Sequence, residues 1–151
     1  MSASPSLDFD DFATALPQAV AALRTLSQSA GQGLDRGLVE LIKVRASQLN
    51  GCAYCLQLHV NWARKAGVAA HKLDQLAVWH EAAGFTAAER AALAWSEAVT
   101  EARAEQTAEA REALRDHFSD GQVLRLTLAV AAINAWNRIA GPLRFTPPPA
   151  E

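Results

Sequence analysis

"DRGLVELIKVRASQLNGCAYCLQLHVNWARKAG", Asp35 to Gly67, reads as two helices joined at a tight turn. Leu38, Leu41, Ile42, Val44 and Leu49 form the apolar set of the first helix, and Asp35 is a suitable N-cap. Asn50-Gly51 breaks it, since glycine ends helices at little steric cost. The second helix begins at or near Cys52 and stops at Gly67. No segment of the chain sustains the period-two alternation of a half-buried strand.

The same signals recur outward from this pair. A helix opens near Pro17, with Val20, Leu23 and Leu26 on one face, and ends at "GQG" (Gly31 to Gly33). Another is expected from about Ala70 to Ala83, stopping at Gly84. Thr86 with Glu89 has capping-box spacing and opens a helix through Leu93, Trp95 and Val99. One more covers roughly Ala108 to Phe118. Ser119 with Gln122 repeats the capping box and opens an apolar helix ending before Gly141. Alanine is abundant and β-branched residues are sparse, which favours helix. The expectation is an all-α, single-domain bundle of about six to seven helices, with the CxxC pair at the start of a central one. It divides into an N-terminal extension (1–15), a helical domain (16–142) and a proline-rich, extended tail (143–151).

Charge and hydropathy narrow the function classes. Fourteen basic and 16 acidic residues leave a net charge of −2, with no basic cluster, so nucleic acid is not an expected partner. The start, "MSASPSLDFDDFA", lacks the basic end and apolar run of a signal peptide. Val123 to Ile139 is apolar but interrupted by Arg125, Asn134, Asn137 and Arg138, so it reads as a buried helix and not a membrane span. A soluble, cytoplasmic protein is expected. Two cysteines three apart in that setting point to redox or metal chemistry more than to a structural staple.

Cys52, Cys55 and His59 stand at i, i+3 and i+7, in a row on one helix face. Three readings are open: a redox pair with a base, metal ligands, or a small buried cluster. In the first turn, free N–H groups and the helix dipole favour a thiolate at Cys52. His59, four residues after Cys55, favours proton removal from Cys55 instead. A second thiol one turn away can close a disulfide on an oxidised first one. Zinc held by both cysteines, His59 and a more distant Glu40 would strain a tetrahedral site, with three ligands spread over two turns. Haem attachment fails because Leu56, not histidine, follows the pair. A histidine base needs a partner on its other nitrogen. Glu40, in the apolar part of the preceding helix, is either on a solvated edge or buried for a purpose.

Glu40, eleven residues, then "CAYCLQLH", with the later "AAINAWNR" (Ala131 to Arg138), resembles the alkylhydroperoxidase branch of the carboxymuconolactone decarboxylase family. Glu, eleven residues, Cys, two residues, Cys, three residues, His is that branch's signature, and all four positions match. The similarity runs from about Leu34 to Asn137. It implies a thiol-dependent peroxidase in which Cys55 attacks the peroxide, Cys52 resolves it, and His59 with Glu40 relays the proton. It implies no bound cofactor, an external dithiol donor such as a dihydrolipoyl or thioredoxin-like protein, and self-assembly, with a trimer or hexamer favoured. The family's best-known hydroperoxidases carry a second histidine where this chain has Tyr54, a phenol too weakly acidic to act as a base near neutral pH. Rival readings are a redox sensor or disulfide-exchange protein, a zinc protein, and the family's lactone decarboxylase chemistry, which does not need the dithiol.

His71, His80 and His117 have no partners at recognisable spacing and read as surface or capped residues. Trp62, Trp79, Trp95 and Trp136 read chiefly as packing. Asn134, Trp136, Asn137 and Arg138 interrupt an apolar helix and need partners if buried, either around the active site or in a subunit contact. Half the residues are hydrophobic in a chain of 151, which one small globule hides with difficulty. Val123 to Ile139 is the element expected at a subunit contact.

Overall fold

The computed structural model describes residues 7–151. Among them are eight α-helices and no strand: α1 (Phe9–Ala15), α2 (Pro17–Gly31), α3 (Arg36–Asn50), α4 (Ala53–Lys65), α5 (Ala70–Gln75), α6 (Ala87–Glu101), α7 (Ala104–Leu114) and α8 (Asp120–Leu143). Helix α1 is the addition to the expected set and lies in the segment read as an extension. Asp8 starts it with a capping box to Asp11. The same Asp8 carboxylate accepts the Thr146 N–H at 2.9 Å and its hydroxyl at 2.6 Å, which ties this end to the tail. The first six residues of the expected extension lie outside the described residues.

Local chemistry accounts for most helix ends. The Leu38 N–H donates to Asp35 at 2.9 Å. Thr86–Glu89 and Ser119–Gln122 both close the expected capping boxes. Gly51 ends α3 with a φ of 65°, a left-handed conformation that costs glycine nothing.

Three boundaries differ from the sequence reading. The helix expected from Ala70 to Ala83 stops at Gln75 and continues only as a 3₁₀ turn, Leu76–Val78. Arg90 is the reason: its guanidinium donates to the carbonyls of Trp79, His80, Ala82 and Phe85, turning them away from a helical ladder. Helix α7 begins at Ala104 and ends at Leu114, earlier than expected, because left-handed Ala102 turns the chain at once after α6. Helix α8 runs through Gly141 and Pro142 to Leu143. Proline is tolerated there because the final turn is closed differently. The N–H of Phe145 donates to Ala140 at 3.0 Å across a left-handed Arg144, and buried Phe145 seals the end.

Helix α3 is central and packs on α4, α6 and α8. Its Leu38, Leu41, Ile42 and Val44 join Leu93, Trp95, Leu114, Leu126 and Val130 in the main core. Burial of each large aliphatic side chain contributes roughly 1.5–3 kcal/mol. A second cluster gathers Ala46, Cys52, Cys55, Ile133, Ala140 and Phe145, with Phe9, Phe12, Tyr54 and Trp136 around them. The cysteines therefore sit where α3, α4 and α8 meet. The segment after α8 is irregular and lies back along α4, starting one residue later than the expected tail because Leu143 is still helical: Asn61 donates to the Pro149 carbonyl at 2.9 Å and accepts the Glu151 N–H at 3.1 Å. No helix among the described residues is long and apolar enough to cross a membrane.

Candidate active site

The turn at Asn50-Gly51 delivers Cys52 to the N-cap of α4, a place usually taken by serine, threonine, aspartate or asparagine. Its Sγ plays the same part, accepting the Cys55 N–H at 3.3 Å. Both cysteines are free thiols, 1% and 2% exposed. The Cys52 thiol is lowered to about 7. The largest cause is the hydrogen bond donated by the Cys55 thiol, helped by backbone N–H groups and the Asn137 side chain and opposed by burial. Cys55 moves the other way, because its thiol donates a hydrogen bond to Cys52 and is itself buried. Cys52 is therefore the thiol that ionises first, and Cys55 keeps its proton.

Helices α3 and α4 form an antiparallel pair across Gly51, and this brings Glu40 to face His59. Both are 5% exposed. His59 Nδ1 and Glu40 Oε2 are 2.7 Å apart. Burial lowers the histidine pKa and the carboxylate partly restores it, so the ring is neutral near neutral pH. Nδ1 then carries the hydrogen that Glu40 accepts, and Nε2 holds the free lone pair. Glu40 is thus the buried alternative of the two left open by the sequence. The row of Cys52, Cys55 and His59 is present on α4, but no hydrogen bond joins His59 to Cys55. The Cys55 thiol donates to Cys52 instead.

Cys55, Glu40 and His59 line one cavity of about 660 Å³, with Tyr54, Trp62 and Trp136 also on its wall. Cys52 does not line it. It lies behind, with its Cβ 3.9 Å from where a side chain on Gly141 would begin. Tyr54 packs between Phe9 and Phe145, with ring centroids 6.2 Å and 5.4 Å away. Burial and the neighbouring Cys55 raise its pKa, so it stays a protonated phenol able to donate a hydrogen bond. Among the described residues no three His, Cys, Asp or Glu side chains cluster as a metal site.

Three participants were not assigned from sequence. Asn137 is 2% exposed, its amide donates to Ser47 at 3.0 Å, and its side chain lowers the pKa of both thiols. Asn50 donates to Asn137 at 3.0 Å and to Asn134 at 2.9 Å, so a polar network joins the end of α3 to α8 behind the cysteines. The sequence signal was there, as asparagines in an apolar helix, without a way to choose site over interface. Lys43, one turn after Glu40, also lines the cavity. A lysine in α3 reads from sequence as a solvated position, and nothing local marks it as buried. His80 is exposed and pairs with Glu97 at 3.1 Å, outside the cavity.

A family model, described as the carboxymuconolactone decarboxylase family, matches residues 14–98. The chain belongs to this family. The matched region ends before α8, so it spans α2 to most of α6 and contains Glu40, Cys52, Cys55 and His59. An uncharacterised protein of Bacillus subtilis (strain 168), YdfG, is 37% identical over 108 residues, covering 71% of this chain and 74% of that one. A crystal structure from Agrobacterium tumefaciens has a TM-score of 0.87 and 40% identity, covering 92% of this chain and 97% of the other. It is a protein of unknown function described as a candidate antioxidant defence protein AhpD. An uncharacterised peroxidase-related protein from Ralstonia eutropha JMP134, with an alkylhydroperoxidase AhpD core, has a TM-score of 0.81 and 27% identity, covering 91% of this chain and 74% of that one.

Proposed function

We propose that this family member is a thiol-dependent peroxidase that reduces hydrogen peroxide or organic hydroperoxides in antioxidant defence. The observation that carries the reading is the division of the dithiol: Cys55 opens on a cavity shared with the buried His59–Glu40 pair, and Cys52 waits behind it with a thiol pKa of about 7. A peroxide in the cavity reaches only Cys55. Entry of substrate frees the Cys55 proton for Nε2 of His59, and Glu40 holds the ring and balances its new charge. The Cys55 thiolate attacks one peroxide oxygen and becomes a sulfenic acid, and the other oxygen departs with the O–O electron pair as alkoxide or hydroxide, which must take up a further proton to become alcohol or water. Cys52, with its pKa lowered to about 7 and so readily ionised, displaces the hydroxyl from Cys55, which leaves as water with the proton from His59. The product is a disulfide within one turn of α4.

An external dithiol reduces it again by exchange through a mixed disulfide. A dihydrolipoyl or thioredoxin-like protein is the proposed donor, no bound cofactor is needed, and a cytoplasmic setting would keep such donors reduced. The test is steady-state peroxide consumption with several dithiol donors, on wild type and Cys55→Ser. Turnover in wild type that Cys55→Ser abolishes supports the reading. A disulfide that forms with other disulfides but never with peroxides would instead make this a disulfide-exchange protein.

A further inference from the structure

The dithiol cycle leaves one buried charged group on the cavity wall without a task; Arg24 and Arg36 also line the cavity but are exposed. Lys43 is 6% exposed and lines the cavity with Cys55 and His59. Among the described residues its ammonium makes no hydrogen bond and no ion pair, and the nearby carboxylate, Glu40, is engaged by His59. No side-chain nitrogen there is both fully enclosed and unpartnered, so the Lys43 Nζ opens on cavity space. Burying most of a lysine side chain without a partner for its charge costs stability. The register of the α3–α4 pair gives its position. Glu40 faces His59, and Lys43 lies about 4.5 Å further along α3, toward the turn and the cysteine end.

We propose that Lys43 is the acid of the reaction: its ammonium holds the departing peroxide oxygen and protonates it as Cys55 takes the other. This rests on the peroxidase reading above. That reading supplies a base for the thiol, in His59, but no acid for the leaving group. An alkoxide or hydroxide is strongly basic, and a proton or positive charge placed where it forms lowers the barrier. The Cys55 thiolate electron pair forms the S–O bond. The O–O bond pair departs on the second oxygen, which takes a proton from Lys43 and leaves as alcohol. Lys43 becomes a neutral amine. Cys52 then displaces hydroxide, which receives the His59 proton and leaves as water. The external dithiol gives up two hydrogens on reducing the disulfide: one proton returns to Cys55 and one to Lys43. Burial draws the lysine pKa below its ordinary value while Glu40 opposes the fall, which makes the ammonium a better acid than a surface lysine.

The test varies the leaving group. tert-Butyl hydroperoxide expels a basic alkoxide, whereas peracetic acid expels acetate, a stable anion that needs no acid. Reduced wild type, Lys43→Met and Lys43→Arg are mixed with each oxidant, and the loss of thiols is followed by stopped flow. Lys43→Met is expected to lose about a hundredfold in rate with the hydroperoxide and little with the peracid. Lys43→Arg, which keeps the charge but holds its protons more tightly, should fall between. Retained peracid reactivity also shows that the variant is folded with a working dithiol. Equal losses with both oxidants, or no loss with either, would overturn the assignment. Wild type oxidised by the peracid alone would overturn it too and leave the dithiol intact. Wild type oxidised by neither would overturn the peroxidase reading along with it.

Discussion

Cys52 and Cys55 share a turn of helix but not an environment, and their chemistry divides accordingly. Cys52 has the N-cap hydrogen bond and the charge, and Cys55 has the proton and the cavity. Reduced protein should therefore show a first thiolate step near pH 7, read by thiolate ultraviolet absorbance, with the second well above the ordinary thiol range. The sign follows from the lowered pKa: the Cys52 thiolate is lost as pH falls through that value. Asn137→Ala removes a donor and should move the first step upward, and a step unchanged by that substitution would detach Asn137 from the pair. Cys52→Ser should leave a trappable sulfenic acid on Cys55 after peroxide. Trapping on Cys52 in Cys55→Ser, with activity intact, would reverse the roles. His59→Ala should slow peroxide reduction about a hundredfold or more, the usual worth of general-base assistance. Glu40→Gln, acting through the ring, should cost less. Unchanged rates in both variants would leave helix-terminal activation as the whole account.

The α3–α4 hairpin is the element that makes the site, and its turn rests on one residue. Gly51 has a φ of 65° with open space where a side chain would begin, so Gly51→Ala meets only backbone strain. A loss of roughly 1–2 kcal/mol in denaturant titrations is expected, and an unchanged midpoint would mean that the turn can reshape. This hairpin was legible from sequence because all its determinants are local: the Asp35 cap, the apolar spacing and Asn-Gly at the break. The same holds for both capping boxes. Where the reading missed, the cause was distant in sequence. Arg90 dismantles the end of α5 from the next helix, and the Phe145 seal carries α8 past a proline. Glu40 and His59 were nameable by motif, but their 2.7 Å pairing depends on helix register. The competition of Cys52 for the Cys55 proton is a matter of thiol geometry, which spacing does not specify.

At the scale of the whole molecule, half the residues are hydrophobic, and Leu16, Val78 and Leu124 remain exposed. A homo-oligomer, trimer or hexamer, is the expected solution state. Light scattering at micromolar concentration checks it, and a monomer would contradict it. Trp136 packs edge-on to Phe12 at 6.4 Å and lines the cavity, so a subunit contact through the end of α8 would border the site. The account as a whole turns on one claim, that the cavity-facing thiol and the one behind it are consumed together by a peroxide. The direct measurement is to mix fully reduced protein with one equivalent of an alkyl hydroperoxide, without donor, and to determine protein mass, free thiols and alcohol. The account predicts one alcohol per chain, both thiols lost and a mass lower by two hydrogens, with the disulfide inside a single chain. Two thiols that persist beside unreacted hydroperoxide would contradict it.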